Sequence, residues 1–108
     1  MANTFKSITK ASVGTVTQDV YTVPGATTTV VIGFCLSNRT GSNVTADVFI
    51  DKSTGDDVYI VKGILIPDGS LYDFNAGNKI ILQTGDKIQV TSSTASSVDV
   101  IVSVLEQT

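Results

Sequence analysis

Residues Thr28–Ile50 read TTVVIGFCL, then SNRTGSN, then VTADVFI. Val30, Ile32, Phe34 and Leu36 recur two apart in the first run, and Val44, Ala46, Val48 and Ile50 do so in the second. Successive side chains of a strand point to opposite faces, so each set lines one face. The polar segment between the runs holds Asn38, Gly41 and Asn43, residues that turns favour. The stretch predicts a β-hairpin whose inner face is the densest apolar patch in the chain.

The same reading extends outward in both directions. Thr15–Val23 is rich in β-formers and is stopped by Pro24-Gly25, because Pro has no ladder donor and Gly permits positive φ. Downstream, an acidic turn (Asp51–Asp57) precedes Val58–Val61, and Lys62-Gly63 reads as a bulge or bend before Ile64–Ile66. Pro67-Asp68-Gly69 is a turn. Ser70–Asn75, Lys79–Gln83 and Lys87–Thr91 are short strands separated by Ala76-Gly77-Asn78 and Thr84-Gly85-Asp86. The Ser/Thr run Ser92–Ser97 is a loop. The last strand alternates, with Val98, Val100, Val102 and Val104 on one face and Asp99, Ile101, Ser103 and Leu105 on the other. No segment carries the 3.6-residue period of an amphipathic helix.

The expected fold is all-β: about eight short antiparallel strands in a Greek-key or jelly-roll sandwich with no long helix. At 108 residues there is room for one core. Residues 1–13 read as an N-terminal arm or edge strand, and 14–108 as a single sandwich domain.

Several strands are apolar on both sides, whereas the outer face of a lone sandwich is mostly polar. Ile101 and Leu105 share the second face of the last strand, Leu65 lies between two isoleucines, and Tyr59 and Val61 oppose Val58 and Ile60. Phe5 and Ile8 are the large apolar groups of the N-terminal segment. Phe5, Ile8, Tyr59, Val61, Leu65, Ile101 and Leu105 are therefore the candidate association surface, and the expected partner is the chain itself.

Composition bears on other functions. The net charge is −3, and the seven cations are scattered, so the basic footprint of a nucleic-acid binder is missing. No run approaches the length that spans a bilayer, and no apolar stretch near Met1 resembles a secretory signal. Neither nucleic acid nor membrane is an expected partner. The sequence holds no histidine and one cysteine, so an internal disulfide is impossible, and Cys35 reads as a small hydrophobe beside Phe34 and Leu36. Asp51, Ser53, Asp56 and Asp57 offer oxygen donors, but not at EF-hand spacing, and they read as a solvated turn. Two glycosylation sequons, at Asn38 and Asn43, lie in ordinary turn chemistry. Asp68 and Asp73 are close in sequence only. With no histidine base and no metal-ligand cluster, neither enzymatic activity nor a cofactor is expected.

Three stretches carry a family resemblance: the start MANTFK, Val20–Asn38 (VYTVPGATTTVVIGFCLSN), and Lys79–Glu106 (KIILQTGDKIQVTSSTASSVDVIVSVLE). Together they resemble small β-sandwich virion structural proteins of tailed phages. The resemblance implies a particle component assembled in the host cytoplasm. It would be a capsid decoration or cement protein docked on the major capsid protein, or else a tail, neck, fibre or baseplate piece. It also implies a homotrimer, and it carries no catalytic signature. In such a component Phe5 and Ile8 of the N-terminal arm are the expected anchor. The alternative of a tail module that recognises host glycan needs exposed aromatic platforms; the candidates are Tyr21, Tyr59 and Tyr72, and the lack of Trp argues against it.

Overall fold

A computed structural model describes residues 2–74 and 79–108. Among these residues all regular structure is β, in nine strands. They are β1 (Asn3–Val13), β2 (Gln18–Thr22), β3 (Thr28–Asn38), β4 (Val44–Asp51), β5 (Val58–Ile66), β6 (Leu71–Phe74), β7 (Ile80–Leu82), β8 (Lys87–Ser92) and β9 (Val98–Gln107). They form two antiparallel sheets. One runs β1-β9-β3-β6, with β7 also pairing β3, and the other runs β2-β8-β4-β5. The turn expected at Ala76-Gly77-Asn78 lies outside the described residues.

The pairings are nested. β1 pairs β9, β2 pairs β8, β3 pairs β6 and β7, and β4 pairs β5. This is one long antiparallel ribbon, with β4–β5 at its tip, rolled so that successive pairs fall alternately in the two sheets. The wrap is closed by β9 against β3 and β8 against β4. That order is the jelly roll. Because β6 and β7 lie along the same edge of β3, nine strands occupy eight positions.

The hairpin expected at Thr28–Ile50 is overturned. Both strands exist, but β3 belongs to the five-stranded sheet and β4 to the four-stranded one. Their apolar faces meet across the core instead of lying side by side, and Arg39–Asn43 carries the chain between sheets. Period-two patterning reports which face is buried, not which strand is the neighbour. Asn38 fixes the crossing: its amide donates to Ser42 O (2.7 Å) and Ile66 O (2.9 Å), and its Oδ1 accepts from the Thr40 amide (2.9 Å).

The core lies between the sheets. Val44, Ala46, Val48 and Ile50 supply it from β4, and Val98, Val100, Val102 and Val104 from β9. In β3 the expected inward set holds only in part. Ile32 is an extra residue against β9, since Val31 pairs Val104 and Gly33 pairs Ser103. This bulge changes the phase: Thr29 and Val31 point inward before it, Phe34 and Leu36 after it, and Ile32 is exposed. β5 is bulged twice. The first shift lies between the Ala46–Ile64 and Val48–Val61 pairs, at the expected Lys62-Gly63 position, where Gly63 has φ +65°. The second leaves Ile60 extra, so Val61 opposes the buried Val48 while Tyr59 opposes Phe49 on the outer face.

Candidate functional site

The two outer faces differ in chemistry. On the five-stranded sheet, register places Phe5 beside Leu105, Leu105 beside Val30, and Val30 beside Ile81. These four make an apolar row across the whole sheet. A second row runs from Thr9 through Ile101 and Cys35 to Asp73, and a third from Asp99 through Ser37 to Leu71. Phe5 is 74% exposed, Ile81 62% and Leu71 57%; Ile101 and Ile32 are also exposed. The charges standing on these rows are Asp73 and Asp99, and Asp99 is paired with Arg39 at 3.1 Å. At the Ile32 bulge the face is indented by a hollow of about 220 Å³ lined by Ile32, Gly33, Cys35, Asp73, Ile101 and Ser103.

The four-stranded sheet is dressed differently. Its outer positions include Asp19, Lys87, Asp47, Lys62, Gln89 and Thr91, tied by a Gln89–Asp19 hydrogen bond (2.6 Å) and Lys87–Asp19 (3.5 Å) and Lys62–Asp47 (4.0 Å) ion pairs. Among them lie two aromatic rings. Phe49 and Tyr59 meet edge to face with centroids 5.0 Å apart, and Lys62 Nζ lies 4.6 Å from the Tyr59 centroid. A cleft of about 160 Å³ opens beside them, bounded by Thr17, Asp47, Phe49, Tyr59, Gln89 and Thr91.

The structure divides the residues expected at an association surface. Phe5, Ile101 and Leu105 lie together on the outer face of the five-stranded sheet. Tyr59 and Leu65 are exposed on the opposite sheet, on β5. Ile8 and Val61 pack partly buried against the core and leave the set: Ile8 has the inward phase of β1, and Val61 is turned inward by the β5 bulge. Sequence reading missed Val30, Ile32, Leu71 and Ile81 as outward groups. The bulge reverses the phase that period-two counting assigns to Val30 and Ile32, and the register across β3 sets Leu71 and Ile81 on the same face.

Of the three tyrosines weighed as sugar platforms, Tyr59 alone is exposed. Tyr21 is buried, and Tyr72 packs partly buried beside Phe34, with ring centroids 6.4 Å apart. Cys35 is half-buried on the outer face. Among the described residues no three His, Cys, Asp or Glu side chains converge as a metal site.

The buried carboxylates instead join loops and strands. Asp86 accepts from the Gln83 amide (2.9 Å), the Ser53 amide (3.0 Å) and Lys52 Nζ, tying the β7–β8 turn to the β4–β5 loop. Burial pushes its pKa up, but these donors outweigh that effect and bring it down to about 2. Thr54-Gly55-Asp56 repeats the tripeptide Thr84-Gly85-Asp86, yet Asp86 is a buried clamp whereas Asp56 is exposed. Glu106 is held below the usual carboxylate range by the Tyr21 hydroxyl and by Lys6, which reaches it at 2.9 Å.

No protein-family model, curated protein or solved structure matches the chain.

Proposed function

We propose that the protein is a non-catalytic assembly subunit that docks onto copies of itself through the outer face of its five-stranded sheet. It belongs, on this reading, to the virion structural class that its sequence resembles, as a homotrimeric capsid decoration protein. The observation that carries the proposal is the unbroken row Phe5–Leu105–Val30–Ile81, on a face whose strand rows carry two charges, Asp73 and the Arg39-paired Asp99. Interface cores are depleted of charge and enriched in aromatic groups. The opposite face, with its ion pairs, has the make-up of a solvated surface.

The size of the face is adequate. Ten residues of β9 at about 3.3 Å each, and four strand positions about 4.8 Å apart, give roughly 600 Å² per copy. Three such faces closed in a ring bury about 1,800 Å² in all, roughly 600 Å² at each of the three contacts, so ring closure rather than any single contact holds the assembly. A copy is favoured over a foreign partner because the face holds both a knob and a hollow. Phe5 projects from it, and the indentation at Gly33 and Cys35 lies on the same sheet. Copies related by rotation can exchange Phe5 for hollow around a closed ring. On a particle, docked copies bridge neighbouring shell proteins and stabilise the assembled state by mass action.

The test is solution mass by light scattering behind size exclusion. The wild-type chain should run as an oligomer. The Phe5→Asp/Ile101→Asp double variant should run as a folded monomer, and Thr45→Lys on the other sheet should leave the oligomer intact. A wild-type monomer at high concentration overturns the assembly reading. Copy number in purified particles then separates the shell, at hundreds of copies, from the neck or tail, at a few.

A further inference from the structure

We infer that the cleft on the outer face of the four-stranded sheet is a binding site for a neutral sugar ring. Its floor is the Phe49–Tyr59 pair, and Tyr59 is half exposed. Its sides are Asp47 and Gln89 together with the hydroxyls of Thr17 and Thr91, which bond each other at 2.9 Å. A pyranose has this duality: one apolar C–H face that lies on an aromatic ring, and a rim of hydroxyls that each donate and accept.

The hydrogen-bonding capacity left over points the same way. Gln89 spends its amide on Asp19, leaving its carbonyl oxygen as an acceptor at the cleft. Asp47 spends Oδ1 on the Gly63 amide at 2.6 Å, while Lys62 stands 4.0 Å from Oδ2, close enough to balance its charge yet leaving room for a hydroxyl. The Thr17–Thr91 pair uses one of its two hydroxyl protons internally, so one donor remains. Among the described residues none bonds the Tyr59 hydroxyl.

Charge excludes the competing ligand classes. Asp47 is matched by Lys62 and Asp19 by Lys87. An anionic or cationic ligand has to break one of these pairs, whereas a neutral one does not. The volume, about 160 Å³, holds roughly five waters' worth of space, most of a single pyranose and too little for a longer chain inside it. One ring on one aromatic platform gives weak affinity, with Kd on the order of millimolar. The cleft lies on the sheet opposite the proposed assembly face, so an oligomer displays several clefts outward and gains avidity from linking them. Binding by the single chain does not depend on that assembly.

The test uses the ¹⁵N-labelled full chain titrated with glucose, galactose, mannose and N-acetylglucosamine, each to about 0.1 M. At least one sugar should shift the amides of Asp47, Phe49, Tyr59, Gln89 and Thr91 in a saturable way. Tyr59→Ala and Gln89→Ala should each weaken that binding about tenfold or more, while distant amides keep their wild-type positions and so report an intact fold. Tyr59→Phe should retain binding if stacking carries it. No shift with any of the four sugars overturns the proposal, and so do shifts that persist in Tyr59→Ala. The monomeric Phe5→Asp/Ile101→Asp variant should bind single sugars as the wild type does, so this outcome is read independently of the oligomeric state.

Discussion

Tyr21 of β2 donates its hydroxyl proton to Glu106 of β9 across 2.6 Å, joining the two sheets through a buried bond. Having given its one proton to the carboxylate, Tyr21 accepts from the Thr29 hydroxyl at 2.8 Å. Thr29 and Glu106 are cross-strand neighbours, and Lys6 closes the cluster from β1. Four strands thus meet at one polar node, at the end of the sandwich where the chain's termini lie side by side through paired Ala2 and Thr108 amides.

Replacing Tyr21 with Phe keeps the ring and removes the donor. Glu106 then keeps Lys6 but loses its shortest bond inside a buried setting. A hydrogen bond to a charged group contributes about 1.5–3 kcal/mol, so a loss of that order is expected. Urea denaturation at fixed protein concentration should show a lower midpoint with an unchanged slope. A midpoint equal to wild type would mean that the node adds no stability.

The pH dependence should be bounded on both sides. Asp86 has its folded pKa at about 2, below its ordinary 3.8, so it contributes stability that is complete above about pH 5 and is lost as pH falls through 4 toward 2. Glu106, also lowered, acts in the same direction. Tyr21 is pushed up to about 12 from 10, first by burial and then by the neighbouring carboxylate. Folding therefore favours the protonated phenol, and that contribution is lost as pH rises from 10 to 12. Thermal midpoints should show a plateau with two falling limbs. Asp86→Asn should lower the plateau and flatten the acid limb, and Tyr21→Phe should flatten the alkaline limb.

Much of this architecture was legible in the sequence because period-two patterning and turn residues mark strands directly. The all-β class, the buried face of β4 and the alternation of β9 all follow from that signal. Partner choice did not, since β3 and β4 carry the same pattern whether they pair or face each other across a core. Bulges were the other blind spot. Gly63 advertises one by its residue type, but Ile32 looks like any β-former, and a single extra residue there turns Val30 and Ile32 outward. The cleft was less legible still. Tyr59 could be named, but Asp47 and Phe49 of β4 and Gln89 of β8 are brought beside it by a register that no local pattern encodes.

Asn38 should be among the costliest polar residues to remove. It is buried, its amide serves two carbonyls on different segments, and its carbonyl oxygen accepts from both the amide and the hydroxyl of Thr40. Asn38→Ala strands the Ile66 carbonyl, leaves Ser42 O with the Thr40 hydroxyl alone, and loosens the crossing between sheets. An unsatisfied buried group costs about 1–3 kcal/mol, so a loss of that order is expected in chemical denaturation. Asn38→Asp tests the donor side: it keeps the acceptor for Thr40 but sets a negative charge against two carbonyl oxygens, and should destabilise at least as much at neutral pH. A loss under about 0.5 kcal/mol for both variants, the range of ordinary surface changes, would show that the loop is held by its backbone alone.

Cys35 provides a chemical reporter for the proposed interface. It lines the hollow at the Ile32 bulge, half-buried in the single chain, where a thiol reagent can approach from the outer face of the sheet. If copies dock there, the reagent must wait for dissociation. A bulky maleimide should label the wild-type oligomer several-fold more slowly than the monomeric Phe5→Asp/Ile101→Asp variant, and dilution should close that gap by shifting the wild type toward monomer. In denaturant the two rates should coincide, which removes any difference in intrinsic thiol reactivity. Equal rates under native conditions, in a sample proven oligomeric by mass, would place the contact elsewhere. The exposed Tyr59 and Leu65 on the opposite sheet would then be the next surface to mutate.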